Sequence, residues 1–193
     1  MIYFISDTHF YHRNIITFGK RPFKNEQEMN QILVKNWNDT VTDQDTVYIV
    51  GDMFCRVKSK EEIENILKQL KGKKFLVIGN HDTSWLKKYP ELKEYFRSCQ
   101  EEYLLHYAEQ GIQRTVILSH YPKLEWKNYY KGAYHIFGHI HNKKDEPQTT
   151  YLKLQNKMFN ATVEINNYKP VTFEEIKKNN EIFYEREILD EEK

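Results

Sequence analysis

Short apolar runs recur along the chain, and amphipathic stretches separate the first three of them. The run Thr46–Val50 is almost continuously apolar and β-branched, which is typical of a strand buried on both faces. The expected strands are Ile2–Ile5, Thr46–Val50, Lys74–Ile78, Tyr103–Tyr107, Arg114–Leu118, Tyr134–Phe137 and Met158–Ile165. The order predicts an α/β fold in which β-α-β-α-β passes into a strand-rich second half.

Helical spacing of apolar residues predicts four helices, three of which begin at recognisable capping residues. Asn25, Ser59 and Thr172 are the expected N-caps, and the last two have Glu at the capping-box position. A shorter helix is expected over Trp85–Phe96, where Pro90 must lie in the first turn or break the helix.

Length and composition indicate a folded protein of ordinary type. The 193 residues are 39% hydrophobic and 30% charged with a net charge of +1, so one domain over residues 1–193 is expected. The charge balance provides no field that favours nucleic acid or a membrane surface. Two cysteines, no signal peptide and no apolar segment of bilayer length predict a cytoplasmic protein without a disulfide framework. The acidic tail, residues 189–193, is expected to be frayed.

Polar clusters follow five of the expected strands. They are Asp7-Thr8-His9, Gly51-Asp52, Gly79-Asn80-His81-Asp82, Ser119-His120 and Gly138-His139-Ile140-His141. Open α/β sheets form their ligand sites at the carboxyl ends of strands. Carboxylate, imidazole and amide groups together suit ions such as manganese, iron or zinc.

Each cluster alone has an ordinary structural explanation, such as a turn aspartate, an N-cap or a packed histidine. Together they do not, because buried imidazoles and carboxylates destabilise a fold unless they are paired or bound to metal. Asp52 could bridge two cations about 3.5–4 Å apart. His81 could remain free of metal as a general acid or phosphate donor, with Asp82 orienting its imidazole.

In order and spacing, these clusters resemble the calcineurin-like metallophosphoesterase superfamily over roughly the first 145 residues. The resemblance implies a four-layer α/β/β/α sandwich, with two mixed sheets flanked by helices and a two-metal site at the strand ends. It also implies two ligand sets that share one residue. The first ligand set is Asp7, His9, Asp52 and His141, and the second ligand set is Asp52, Asn80, His120 and His139.

The resemblance further implies the chemistry. His81 would contact the phosphate or protonate the leaving oxygen, with Asp82 beside it, while a hydroxide held between the metals attacks phosphorus in line. The implied cofactors are two divalent or trivalent transition-metal ions (Mn, Fe, Zn, Ni or Co), with manganese favoured.

Differences from the superfamily motifs indicate to which branch of the superfamily the chain is similar. The protein Ser/Thr phosphatases carry a second Asp and an Arg where Met53–Arg56 stand here, and Glu in place of Asp82, which argues against a protein phosphatase. The segment Ser6–Ile15 resembles the corresponding segment of a branch of the superfamily that consists of small bacterial and phage phosphoesterases. Within it, Arg13 could clamp a substrate phosphate and His12 could donate a hydrogen bond nearby, although a solvated loop explains both residues equally well.

The expected function is hydrolysis of a phosphodiester or phosphomonoester, with a small or nucleotide-like substrate. Two alternatives stay open: a nuclease on single-stranded ends, and an inert binding scaffold with the same fold. In the aromatic loop 121–131, Trp126, Tyr129 or Tyr130 could stack on a nucleobase, and ordinary loop packing is the other interpretation. Nucleic-acid binding and oligomeric state are left open.

Overall fold

The computed structural model describes residues 1–109, 111–144 and 146–185, and of residue 148 the backbone alone. The predicted frayed tail lies outside these residues. Two four-stranded sheets are flanked by helices. The first sheet has the order β1 (Ile2–Ile5), β2 (Thr46–Val50), β3 (Lys73–Val77) and β4 (Ser98–Gln100). The second has the order β5 (Glu102–Glu109), β6 (Ile112–Ser119), β7 (Tyr134–Phe137) and β8 (Met158–Asn160).

The prediction of two mixed sheets is correct for the second sheet and wrong for the strands of the first. All pairings from β1 to β4 are parallel, whereas β5 pairs antiparallel with β6 and the remaining pairs of the second sheet are parallel. Within the described residues, the antiparallel contact of the first sheet is limited to an isolated bridge between Phe4 and Val171. A parallel bridge between Ser6 and Thr162 connects the edges of the two sheets next to the polar clusters.

The described helices are α1 (Arg13–Phe18), α2 (Glu26–Thr40), α3 (Lys60–Gln69), α4 (Asp82–Lys88), α5 (Pro147–Lys153) and α6 (Phe173–Tyr184). Three of these helices, α2, α3 and α6, begin where the capping residues predict. Asn25, Ser59 and Thr172 each accept a hydrogen bond from the backbone N–H three residues later, and the capping box at Thr172 is complete. At Ser59 the box is incomplete, because the Glu62 carboxylate accepts from the N–H of Lys58 instead.

Local differences from the predicted elements have physical causes. Pro90 breaks the helix expected over Trp85–Phe96, so α4 ends at Lys88 and a 3₁₀ helix covers Pro90–Tyr95. β8 ends at Asn160, earlier than expected, and the chain then turns at 163–168. The short elements α1, β4 and α5 were not predicted, because none is long enough to establish a period.

Three buried clusters establish the four layers. Alternate residues of the first sheet, such as Ile49 and Leu76, face α2, α3 and α4, while their neighbours Val50 and Val77 face the second sheet. The outer face of the second sheet packs on the C-terminal end of α6, on α5 and on Trp126. The α/β/β/α sandwich is therefore confirmed. Among the described residues, no helix combines the length and apolarity needed to cross a bilayer.

Candidate metal centre

The polar clusters come together because five parallel-running strands end at the same edge of the sandwich. Asp7, Asp52 and Asn80 follow β1, β2 and β3, while His120 and His139 follow β6 and β7. The Ser6–Thr162 bridge holds the two sheet edges together, and the N–H of Asp7 donates to Gly51 O at 3.0 Å. The loops that carry both ligand sets are thus hydrogen-bonded to one another.

Five of the seven residues in the two ligand sets have a left-handed backbone. Asp7, His9, Asp52, His139 and His141 have φ values of 55°, 49°, 53°, 71° and 51°. Asp and His tolerate this region better than most residues, yet it still destabilises each position by about 1 kcal/mol or more. Such backbone persists only where the surrounding contacts impose it, and it is typical of functional sites.

The first ligand set converges on a small space around Asp7 Oδ1. This atom lies 3.6 Å from His9 Nε2 and 3.7 Å from His141 Nε2, and His9 Nε2 lies 3.8 Å from Asp52 Oδ2. These separations are too long for hydrogen bonds. Ligand atoms about 2.1 Å from a shared metal ion would lie about 3.0–3.5 Å from one another, so a cation with slight tightening fits.

Two buried atoms of the first ligand set support this fit. Asp7 Oδ1 and His9 Nε2 have no hydrogen-bond partner in the part of the chain that the structure describes, although both side chains are almost fully buried. Burial raises the pKa of Asp7, but nearby His141 and His9 outweigh it and lower the pKa overall. Burial lowers the pKa of His9. An ionised carboxylate beside a neutral imidazole is the pair that a metal ion requires.

The second ligand set lies on the other side of Asp52. Asp52 Oδ2 is 3.3 Å from His120 Nε2, and Asn80 Oδ1 is 3.1 Å from both His120 Nε2 and His139 Nδ1. Burial lowers the pKa of His120, but the Asp52 and Asp7 carboxylates outweigh it and raise that pKa to about 9. Asp52 Oδ2 therefore faces both sets, and a cation in the second set would displace a proton from His120.

Two glycines allow the ligands this close approach. A Cβ on Gly138 would lie 1.9 Å from Ser6 Oγ and 2.4 Å from Asp7 Oδ2, and a Cβ on Gly51 (φ +91°) would lie 2.2 Å from His120 Nδ1. No side chain fits at either position. The glycines in these clusters therefore have a steric role as well as a turn-forming one.

His81 lies beside the shared carboxylate and is more accessible than the buried ligands Asp7, His9, Asp52 and His120. Its side chain is 44% exposed, with Nε2 3.9 Å from Asp52 Oδ2 and Nδ1 3.5 Å from Cys55 Sγ. Burial raises the pKa of the Cys55 thiol to about 11, so this thiol is neutral beside the imidazole. The geometry leaves Nε2 of His81 open toward an incoming group.

The prediction that Asp82 orients the His81 imidazole is wrong. The Asp82 carboxylate is fully buried and accepts four hydrogen bonds elsewhere, from the backbone N–H groups of Asp52, Met53 and Gly79 and from Trp85 Nε1, at 2.7–3.0 Å. Burial and the Asp52 carboxylate raise the pKa of Asp82 to about 6, which leaves it ionised at neutral pH. Asp82 braces the loop that carries Asp52 and does not contact the imidazole.

His12 and Arg13 differ in their relation to the site. His12 is buried, its ring centroid lies 5.4 Å from that of His9 and 6.4 Å from that of His81, and burial with neighbouring charge lowers its pKa to about 4. Arg13 is exposed at the start of α1, and no described contact joins it to the ligand sets. Their roles toward a substrate stay predictions.

Sequence reasoning missed an ion pair that supports the first ligand set. Glu164 Oε1 accepts from His141 Nδ1 at 3.0 Å and from Arg21 Nε and Nη2 at 2.9 and 2.7 Å, and Arg21 also donates to the carbonyl oxygens of Asp7 and Thr8. Burial raises the pKa of Glu164, but Arg21 and His141 outweigh it and lower that pKa to about 2. Arg21 and Glu164 belong to no local sequence motif, so their pairing can be recognised only in the tertiary structure.

Known proteins resemble this chain over most of its length. The family model described as calcineurin-like phosphoesterase matches residues 1–143. An uncharacterized protein of Methanocaldococcus jannaschii is 36% identical over 178 residues, which are 92% of this chain and 89% of that protein. The gene 66 protein of Mycobacterium phage L5 is 25% identical over 161 residues, which are 72% of this chain and 77% of the phage protein.

A solved structure extends the similarity to three dimensions. A protein of unknown function from Aquifex aeolicus superposes with a TM-score of 0.68 at 33% sequence identity, covering 92% of this chain and 98% of its own. The family model matches most of the chain, and the relatives cover most of it as well. This chain belongs to the calcineurin-like phosphoesterase family.

Proposed function

We propose that this protein hydrolyses a phosphodiester or phosphomonoester with two transition-metal ions held by the two ligand sets. The observation that carries the proposal is the position of Asp52 Oδ2, which lies 3.8 Å from His9 Nε2 and 3.3 Å from His120 Nε2 and so faces both sets. A carboxylate shared between two groups of metal-binding side chains is the arrangement that holds a metal pair.

The donor sets differ in chemistry in a way that suits two cations. The first set contributes two carboxylates and two imidazoles, while the second shares one of those carboxylates and adds a neutral amide oxygen. When bound, the ions would lower the pKa of a coordinated water and neutralise charge on the phosphoryl oxygens. The nitrogen and oxygen ligands suit Mn, Fe, Zn, Ni or Co, and manganese is the ion we favour for the assay.

His81 is the residue to which we assign proton transfer. Its Nε2 lies at the margin of the ligand sets and its ring is exposed, so it can reach a phosphoryl or leaving oxygen without giving up a metal contact. Cys55 Sγ against Nδ1 limits rotation of the ring. Arg21 and Glu164 take no part in the chemistry, since they are fully buried behind Asp7 and His141.

The test is a screen of the Mn²⁺-loaded protein against phosphomonoesters, phosphodiesters and cyclic nucleotides, with metal content measured in parallel. We expect about two metal ions per chain and hydrolysis of at least one ester class. Asp52→Asn should lose metal and activity together, because it weakens both ligand sets. A protein that binds two metal ions but cleaves no ester would contradict the proposal and favour the inert scaffold. Cleavage confined to a labelled single-stranded oligonucleotide would favour the nuclease.

A further inference from the structure

A pocket opens beside the second ligand set, between the ends of β3 and β6. Its volume of about 580 Å³ is that of a site for a small organic molecule. Asn80 and His120 are among its lining residues, so the pocket adjoins the second ligand set. The residues that complete the lining include Thr83, Glu101, Glu102, Tyr121 and Lys123.

Tyr121 presents an aromatic surface in this pocket. This residue is 51% exposed, and its ring centroid lies 4.5 Å from that of His139 and 5.3 Å from that of His120. The imidazoles contact the ring at interplanar angles of 57° and 71°, and the exposed part of the ring is available to a planar group. Stacking of a base on such a ring contributes about 1–3 kcal/mol.

The aromatic residues named from sequence as a stacking surface are placed differently. Trp126 is 6% exposed, its Nε1 donates to Ala133 O at 2.9 Å, and it packs on His135, so its predicted stacking role is wrong. Tyr129 is partly buried and packs edge-on against Trp126 at a ring-centroid distance of 4.7 Å. Tyr130 is 86% exposed and does not line the pocket.

Charge and hydrogen-bonding capacity restrict what the pocket accepts. Glu101 and Glu102 contribute two carboxylates against the single ammonium of Lys123, which pairs with Glu102. The pocket therefore repels a further phosphate group. Its carboxylates accept hydrogen bonds, and Thr83 Oγ1 keeps lone pairs free after donating to Asn80 O at 3.0 Å. A flat, uncharged group with N–H donors on its edge matches these features.

We propose that this pocket binds the nucleoside part of a phosphate ester whose only phosphate is the one at the metal centre. The nucleobase stacks on Tyr121 and its N–H donors face the acidic wall. The inference rests on the proposed phosphoesterase function and adds a substrate class to it. Nucleoside triphosphates and polynucleotide chains are disfavoured on this side, because their additional phosphates would lie near the Glu101 carboxylate, which has no paired ammonium among the described residues of the pocket lining.

The experiment compares two diesters with the same leaving group, thymidine 5′-(p-nitrophenyl phosphate) and methyl p-nitrophenyl phosphate, on the Mn²⁺-loaded protein. We expect kcat/KM for the thymidine ester to be higher by at least about tenfold. Tyr121→Ala should lower that preference by about 5-fold to 150-fold, mainly through KM, because it removes the stacking surface. Tyr121→Phe should preserve it, and Tyr130→Ala serves as a matched tyrosine control.

The ratio of the two esters separates recognition from structural damage. Tyr121 Oη lies 3.5 Å from Asn80 Oδ1, so a displaced Asn80 would slow both esters equally and leave the ratio unchanged. An equal rate for both esters, or an unchanged ratio in Tyr121→Ala, would overturn the nucleoside pocket and leave the phosphoesterase function standing. If neither diester is cleaved, the diester form of the proposed function fails, and its monoester form is decided by the ester screen. Calorimetric binding of thymidine 5′-monophosphate against methyl phosphate then decides the pocket. Tighter binding of the nucleotide supports the pocket, and equal binding overturns it.

Discussion

Replacing Glu164 by Gln tests how the fold prepares the first ligand set. Glu164 Oε1 accepts the Nδ1–H of His141 at 3.0 Å, which fixes the tautomer whose Nε2 faces Asp7 Oδ1 at 3.7 Å. The same carboxylate neutralises Arg21, which holds the carbonyl oxygens of Asp7 and Thr8. Glu164→Gln keeps the size of the side chain and removes its charge.

The magnitude follows from burial and from the role of the hydrogen bond. Removing the partner that orients a metal-binding histidine weakens metal binding about 10-fold to 100-fold, or about 1.4–2.7 kcal/mol. The side chains of Arg21 and Glu164 are 0% and 1% exposed, so an uncompensated Arg21 should also lower the free energy of unfolding by about 3 kcal/mol. The variant should therefore fold with a lower Tm and bind the first metal ion poorly.

The assay is calorimetric titration with Mn²⁺ near neutral pH, together with thermal unfolding of the metal-free protein. We expect one site to weaken about 10-fold to 100-fold and the other to change by less than about 3-fold, because His120 and His139 do not contact Glu164. Glu174→Gln, which removes an exposed carboxylate paired with Arg114, is the matched control and should leave both sites unchanged. Wild-type affinity at both sites of Glu164→Gln would refute the reasoning, as would an equal loss at both.

Three further predictions concern His81, Asp82 and His135. His81→Ala should retain both metal ions, because the His81 ring lies outside the ligand sets, and should lose about 10²–10⁴-fold in kcat. Full activity with normal metal content would contradict the role of His81 in proton transfer. Asp82→Asn should lower the free energy of unfolding by about 2–5 kcal/mol, because an amide nitrogen would face two of the four N–H donors. A loss below about 1 kcal/mol in urea unfolding would contradict the stabilising role of Asp82 in the Asp52 loop. Burial lowers the pKa of His135 to about 4, so the unfolded chain binds the proton more tightly and stability is lost as pH falls from about 6.5 toward 4. His135→Phe should reduce the stability loss between about pH 7 and pH 5 by about 2 kcal/mol, and an identical loss in both proteins would show that this histidine is not responsible.

The candidate ligands could be found from the sequence because each follows a strand directly. Asp7, Asp52 and His139 are a few residues beyond apolar runs, and parallel strands bring such positions to one edge. The caps at Asn25 and Thr172 were equally accessible, since the pattern that specifies them spans four residues.

Features that depend on approach between distant segments could not be found in this way. Arg21 and Glu164 are 143 residues apart and neither sits in a motif, so their pairing emerges only when the loop after β1 packs on the turn after β8. Asp82 lies next to His81 in sequence, which suggested that one orients the other. The fold instead turns its carboxylate toward backbone N–H groups of the Asp52 loop.

The central claim is that one carboxylate, Asp52, joins two metal sites. It is tested most directly by anomalous diffraction from crystals of the protein grown with Mn²⁺. We predict two anomalous peaks about 3.5–4 Å apart, both contacted by Asp52 Oδ2, with one against Asp7, His9 and His141 and the other against Asn80, His120 and His139. A single peak, or two peaks that do not share Asp52, would contradict the account.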